Sequence, residues 1–140
     1  MGEYEISGIE TIVRGVAIAD GQLLVCRARN GKTSYLPGGH IEFGETAREA
    51  LVREIREELG VEAETGKFLG ALENSFLQHG KPHCEINLVF ELKFAGKPEA
   101  KAIEDWIEFE WVDLARLETA RLLPEKFNIL KENPAAEFSL

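Results

Sequence analysis

Three glutamates, Glu54, Glu57 and Glu58, stand three and four residues apart within a segment, 46–59, that reads as an amphipathic helix. On a wheel at about 100° per residue, Ala47, Leu51, Val52, Ile55 and Leu59 form the apolar arc. Glu49, Arg53 and Arg56 lie opposite it, where a solvated face belongs. The three glutamates gather instead at one edge of the arc near Ala50, and Glu58 falls angularly among the apolar residues. Like charges at these spacings cost roughly 0.2–0.5 kcal/mol each on an exposed helix, and more when partly buried. Glu57 and Glu58 also approach the helix C-terminus, whose dipole repels anions. A hard divalent cation reverses the sign of all three penalties, because Mg2+ or Mn2+ prefers carboxylate oxygens. A solvated acidic face is the alternative, and the wheel position argues against it.

The preceding loop strengthens the metal reading. Pro37-Gly38-Gly39 ends shortly before the helix, and paired glycines let backbone approach a ligand closely. A carbonyl from Gly38 or Gly39 is a candidate further oxygen ligand. Glu45 lies at the helix start, within reach of Arg53 as an ion-pair partner.

The helix itself has clear ends. Thr46 with Glu49 three residues later fits a capping box, and Gly60 fits a left-handed stop with Val61 as its apolar contact. Around it the chain reads as strands. Residues 11–29 form two strands about Asp20-Gly21, a pair that tolerates positive φ. Residues 68–77 form another, ahead of a turn at 78–82. Cys84, Ile86, Leu88, Phe90, Leu92 and Phe94 then alternate with polar residues, the clearest period of two in the chain. Ile107, Phe109 and Trp111 share one face of a strand over 106–112. Residues 114–130 have a helical pattern interrupted near Pro124, Pro134 ends it, and the tail 135–140 reads as loose. Strands on both sides of one strong helix predict an α/β protein with a mixed sheet covered by helices.

Composition limits the functions available. The 140 residues are 44% apolar, which suits one compact domain over 1–140. Sixteen basic against 25 acidic residues leave a formal charge of −9. That balance opposes a nucleic-acid polymer or an anionic membrane as partner, since both require cationic surface. No run approaches the roughly 20 apolar residues of a membrane span. The acidic start at 1–5 lacks the apolar run of a signal peptide, and Ile6 stands where a myristoylation signal needs Ser or Thr. Cys26 and Cys84 form no CxxC pair and read as reduced thiols, which points to the cytoplasm. Cys84 sits on the apolar face of its strand and reads as core.

Gly39, then Glu45, then Arg53-Glu54-Ile55-Arg56-Glu57-Glu58-Leu59-Gly60-Val61 resembles the Nudix box, at positions 39 to 61, without a departure. The resemblance implies the Nudix-type α/β/α sandwich and hydrolysis of a nucleoside diphosphate linked to another group. It implies Glu54, Glu57 and Glu58 as ligands for Mg2+ (or Mn2+), with the Gly38 carbonyl as a main-chain ligand. Glu45 and Arg53 become the pair that braces loop to helix. The family commonly forms homodimers, although no segment here marks an interface.

A phosphoanhydride resists attack because its oxygens repel a nucleophile. Bound metal neutralises them and acidifies water, and a carboxylate takes the proton. Glu54 is the first candidate for that base and Glu57 the second. Glu104, before the 106–112 strand, is the candidate extra base or ligand from outside the box, and Glu85 is a weaker one. Arg27, Arg29, Tyr35, Gly39 and His40 are candidate substrate contacts. Arg14 and Lys32 are further cations that could meet phosphate, while Tyr35, Phe43 and Phe76 could stack on a base, with core packing as the alternative role for each. Gly31-Lys32-Thr33 is no P-loop, since Cys26 replaces the required glycine. The expected substrate is a small nucleotide, first a nucleoside triphosphate in the MutT manner. ADP-ribose, a dinucleoside polyphosphate, or a catalytically silent nucleotide-binding regulator are the alternatives.

Overall fold

The computed structural model describes residues 8–140. The readings of the acidic start and of Ile6 lie outside the described residues. Among the described residues, seven strands and one α-helix follow in the order β1 (Ile9–Val16), β2 (Ile18–Ala19), β3 (Gln22–Ala28), β4 (Gly38–His40), α1 (Ala47–Leu59), β5 (Glu64–Gln78), β6 (Lys81–Lys93) and β7 (Ile107–Asp113). Two 3-10 segments, Leu114–Ala120 and Glu125–Lys131, come last.

The strands build two sheets. One has the order β4-β1-β6-β5, with β1 parallel to β6 and its other pairs antiparallel. This is the expected mixed sheet, and the α/β class holds. The second, β2-β3-β7, is antiparallel. Asp20 and Gly21 turn between β2 and β3 with φ of 53° and 72°, the positive values that their residue types tolerate.

The β6 alternation sends side chains to two cores. Phe90 and Leu92 pack with Leu51, Ile55 and Leu59 of α1, while Val89 joins Leu36, Leu72, Phe127 and Leu130 on the opposite side. Gly15 of β1 lets α1 sit close: a Cβ there would meet Leu92 at 3.0 Å and Leu51 at 3.3 Å. Asn87 is the exception in this apolar setting. It is fully buried, and among the described residues neither its amide nitrogen nor its oxygen has a partner.

Helix α1 begins and ends as its sequence dictates. The Glu49 N–H donates to Thr46 Oγ1 at 3.1 Å, and the Thr46 N–H donates to Glu49 Oε1 at 2.8 Å. Gly60 adopts φ 74° and donates to the carbonyls of Arg56 and Ile55.

The C-terminal third departs from expectation. Residues 114–130 are helical and interrupted near Pro124, as the pattern predicts, but both pieces are 3-10 in geometry, not α. Arg116 leaves helical geometry at φ −123°, Arg121 is left-handed, and Pro124 offers no N–H to continue the first turn. The buried pair Phe127 and Leu130 is three residues apart, which suits a three-residue repeat. The tail is docked, not loose. Ala136 is buried, the Phe138 N–H donates to the Leu69 carbonyl at 2.7 Å, and the Phe138 ring meets Phe127 edge-on at 5.2 Å. Cys84 is only half-buried, because it lies in the outer half of β6 beyond the packed centre. Among the described residues no helix is long and apolar enough to cross a membrane.

Candidate active site

Helix α1 presents its glutamates to the end of β4. Glu58 is 7% exposed, and the Glu54 and Glu57 side chains are 15% and 59% exposed. Burial and the neighbouring Glu54 carboxylate push the Glu58 carboxyl up to about 9. The crowding inferred from the helical wheel is therefore real for Glu54 and Glu58, while Glu57 stands at the rim.

Arg53 organises this end of the site. Its Nε and Nη2 donate to the two oxygens of Glu45 at 3.0 and 2.7 Å, a fork matched to one carboxylate. Its Nη1 donates to Glu54 Oε1 at 3.1 Å and to Glu57 Oε2 at 3.3 Å. Nη2 also donates to the His40 carbonyl at 3.1 Å, which ties β4 to the helix. The Arg53 fork holds the Glu45 carboxyl below the usual range, and Glu45 in turn raises Arg53. The expected brace between loop and helix thus exists as an ion pair.

Two glycines permit the close approach of β4. Gly38 has φ 146°, and a Cβ there would lie 1.9 Å from the Val13 carbonyl oxygen. A Cβ on Gly39 would lie 2.7 Å from both Oε1 and Cδ of Glu54. The Glu54 carboxylate therefore rests directly on the Gly39 backbone, a contact available to no other residue type.

These groups face a cavity of about 530 Å3. Gly38, Gly39, His40 and the three glutamates line it. Arg14, Glu104 and Trp106 also line it. The 103–106 loop reaches it because the Ile103 N–H donates to the Glu58 carbonyl at 2.9 Å. Glu104 is thus brought to the cavity from outside the 39–61 segment.

The remaining candidates scatter around this cavity. His40 lines it, with Nε2 2.7 Å from Glu10 Oε1, and His83 Nδ1 takes the other Glu10 oxygen at 2.9 Å. Both contacts lower the Glu10 carboxyl. Tyr35 lines a second cavity that also touches Arg14. Arg29 borders a third, of about 380 Å3, that shares Glu104. Arg27 turns to β7, where Glu110 accepts its hydrogen bond at 2.8 Å and Glu108 lies 3.6 Å away. Their register, with Arg27 opposite Glu108, explains that capture. Cys26 is buried among apolar side chains, which push its thiol up to about 12 and leave it unreactive.

Sequence reasoning gave Arg14 no special place and passed over Trp106. Arg14 lies on β1 opposite Gly38, so only the β1–β4 pairing reveals its position. Trp106 stands two residues after Glu104, and an exposed tryptophan beside a candidate base is the signal that was available.

Could the carboxylates hold a metal? Among the described residues, no three His, Cys, Asp or Glu groups already converge as a ready-made ion cage. Arg53 occupies oxygens of Glu54 and Glu57 instead. The donor chemistry nevertheless fits a hard divalent cation. The candidate donors are all oxygens, Gly38 and Gly39 line the same cavity, and the Glu58 carboxyl, raised by burial and by Glu54, would be lowered again by added positive charge.

A mixed sheet, one capped helix carrying an acidic edge, and a Gly-Gly strand laid against it form an open site rich in carboxylates. The NUDIX domain family matches residues 10–132, and the chain belongs to that family. An ADP-ribose pyrophosphatase of Methanocaldococcus jannaschii is 37% identical over 108 residues, covering 75% of this chain and 62% of that protein. A CTP pyrophosphohydrolase of Escherichia coli is 36% identical over 64 residues, covering 43% of this chain and 47% of that one. This chain spans about half the length of the curated relatives it matches. The crystal structure of a MutT protein from Methanosarcina mazei superposes with a TM-score of 0.69 at 25% identity, covering 94% of each chain.

Proposed function

We propose that this chain is one Nudix domain that hydrolyses a phosphoanhydride in a nucleoside diphosphate derivative, with a divalent metal and in the cytoplasm. The observation that carries the reading is the buried Glu58 carboxyl beside Glu54, laid against Gly39 in an open cavity. A fold gains nothing from such a pair unless positive charge is meant to join it.

Glu54, Glu57, Glu58 and the Gly38 carbonyl would hold Mg2+ or Mn2+. When bound, such an ion supplies charge that screens the diphosphate oxygens and makes a nearby water easier to deprotonate. Glu54 is the proposed base. Its carboxylate is held by Arg53 and lies against the Gly39 backbone, so it is positioned before substrate arrives. Glu57 is the second candidate and Glu104 the third, both on the same cavity. Arg53 is committed to Glu45 and acts by holding the helix and loop in register. Arg14, whose buried Nε has no partner among the described residues, is placed to receive a phosphate oxygen along with the Gly39 and His40 segment.

The proposed reaction is attack of water on a nucleoside triphosphate, releasing the monophosphate and pyrophosphate. The relative named a CTP pyrophosphohydrolase supports that choice. ADP-ribose is the second reading, favoured by the relative named for it. A panel of nucleoside triphosphates, ADP-ribose and dinucleoside polyphosphates, with and without magnesium, tests both. We expect metal-dependent turnover that stops with chelator. Undiminished turnover in excess chelator would remove the metal-centred chemistry, and tight binding without any product would replace the enzyme by a nucleotide-binding regulator.

A further inference from the structure

One edge of the larger sheet is open. β5 stands last in the order β4-β1-β6-β5, so its strand partner is β6 alone. The docked tail covers part of the free side, where Phe138 bridges Gly70 in parallel. From Ala71 to Gln78, among the described residues, no strand or bridge lies on that side. Exposed edges commonly carry a lysine, a proline or a bulge that stops another strand from joining. Ala71-Leu72-Glu73-Asn74-Ser75-Phe76-Leu77-Gln78 has none of these, and Glu73 is its one charge. Phe76 and Leu77 are 38% and 58% exposed, so the edge is also apolar.

The turn at its end fixes which backbone groups face outward. His79 and Gly80 alone join β5 to β6, with φ of 53° and 75°. Two positive values in a two-residue loop mark a type I′ turn, which closes on a hydrogen-bonded pair, here Gln78 with Lys81. Hydrogen-bonded and non-hydrogen-bonded pairs alternate from there. Glu73, Ser75 and Leu77 fall opposite Ile86, Cys84 and Pro82 in the non-hydrogen-bonded class. Their N–H and C=O groups therefore point away from β6, into the open edge. Pro82, which has no N–H, stands where β5 needs none, as this phase requires.

The edge is complementary to itself. Two antiparallel copies about a two-fold axis pair when outward residues stand opposite outward residues. An axis at Asn74 or Ser75 drives the turn of the second copy onto Gly70, which Phe138 already holds. An axis at Phe76 clears the tail. Ser75 then pairs with Leu77 of the second copy, and Leu77 with its Ser75, each pair exchanging two backbone hydrogen bonds. Phe76 meets its own counterpart in a non-hydrogen-bonded pair, where facing side chains are closest. Asn74 faces Gln78, and Glu73 comes opposite His79. No two acids oppose each other, which matters in a chain of net charge −9.

We propose that the 73–78 edge of β5 joins that of a second copy about a two-fold axis at Phe76, making one continuous sheet across a dimer. The proposal stands apart from the hydrolase reading, and its tests use no turnover. Sedimentation of the full chain from about 1 to 500 µM should show monomer passing to dimer, with a dissociation constant of roughly 1–100 µM, as suits a small interface. Ser75→Pro removes an outward N–H and leaves the β5–β6 bonds intact, while Leu77→Lys adds the charge that open edges commonly carry. Each should weaken the dimer at least about tenfold with the circular dichroism spectrum unchanged. The two act by different means, so a folding defect in one leaves the other to decide. Cross-linking in a Cys84→Ser chain reads the register. Phe76→Cys should give a disulfide-linked dimer on oxidation with diamide, because facing Cα atoms in such a pair lie about 4.5 Å apart. Asn74→Cys should not, since its counterpart would lie about 14 Å away. A chain that stays monomeric at about 500 µM overturns the proposal and leaves the edge to a strand of another protein. A dimer that neither Ser75→Pro nor Leu77→Lys weakens also overturns it, as does cross-linking of Asn74→Cys in place of Phe76→Cys.

Discussion

Replacing Glu58 by glutamine removes a titratable carboxyl from the most crowded part of the chain and adds no volume. Its carboxyl is pushed from 4.5 up to about 9 in the fold by burial and by Glu54. Between those values the folded chain keeps a proton that the unfolded chain has lost. Stability is therefore fully present below pH 4.5 and falls as pH rises towards 9. At about 1.4 kcal/mol per pH unit, the rise from 4.5 to 7 costs roughly 3 kcal/mol. Glutamine has no proton to keep and avoids this loss. Urea unfolding in chelator, from pH 4.5 to 8, measures it. The two proteins should be about equally stable at the acid end, and Glu58→Gln more stable by roughly 3 kcal/mol at pH 7. Excess magnesium should then stabilise the unaltered protein more than the variant, because binding to the folded state is a linked equilibrium. Turnover should be mostly lost in the variant. Parallel stability curves across the pH range would refute the argument that this carboxyl is strained by burial.

Gly39→Ala places a methyl where the Glu54 carboxylate lies, at 2.7 Å, so the carboxylate must shift. We expect kcat to fall about 100-fold with the circular dichroism spectrum unchanged, and a normal kcat would contradict the proposed role of Glu54. Arg53→Lys keeps the charge but loses the fork on Glu45. A loss of about 1–2 kcal/mol in urea unfolding and at least about tenfold in kcat is expected, since lysine cannot hold two carboxylate oxygens in one plane. Asn87→Leu replaces a buried amide that lacks partners among the described residues by an apolar side chain of similar size. It should raise stability by about 1–3 kcal/mol, and a lower urea midpoint would show that the amide is satisfied in solution.

The parts legible in the sequence are those written in neighbouring residues. Thr46, Glu49 and Gly60 set the ends of α1, because capping is decided within a few residues of each terminus. Asp20-Gly21 marked its turn, and the alternation through Leu88, Phe90 and Leu92 marked β6, for the same reason. The acidic edge of α1 was readable as a single helical face. Groups assembled by long-range pairing were hidden. Arg14 meets the cavity only because β1 pairs with β4, and Glu85 meets Asn74 only across the long β5–β6 hairpin. The tail failed for a related reason. Phe138 is held by Leu69 and Phe127, and no local pattern in 135–140 reveals those partners. The helical pattern of 114–130 and its break near Pro124 were legible, but apolar spacing of three to four residues does not separate an α-helix from 3-10 turns.

One guanidinium, that of Arg53, reaches Glu45, Glu54, Glu57 and the His40 carbonyl at once. Truncating any one of these acids frees a donor that its neighbours can compete for, so the measured loss includes their rearrangement. Single substitutions in this ring should therefore be strongly epistatic, and thermodynamic cycles between them should fail to close on independent contributions. A library that varies these acids one at a time will understate which combinations evolution can reach.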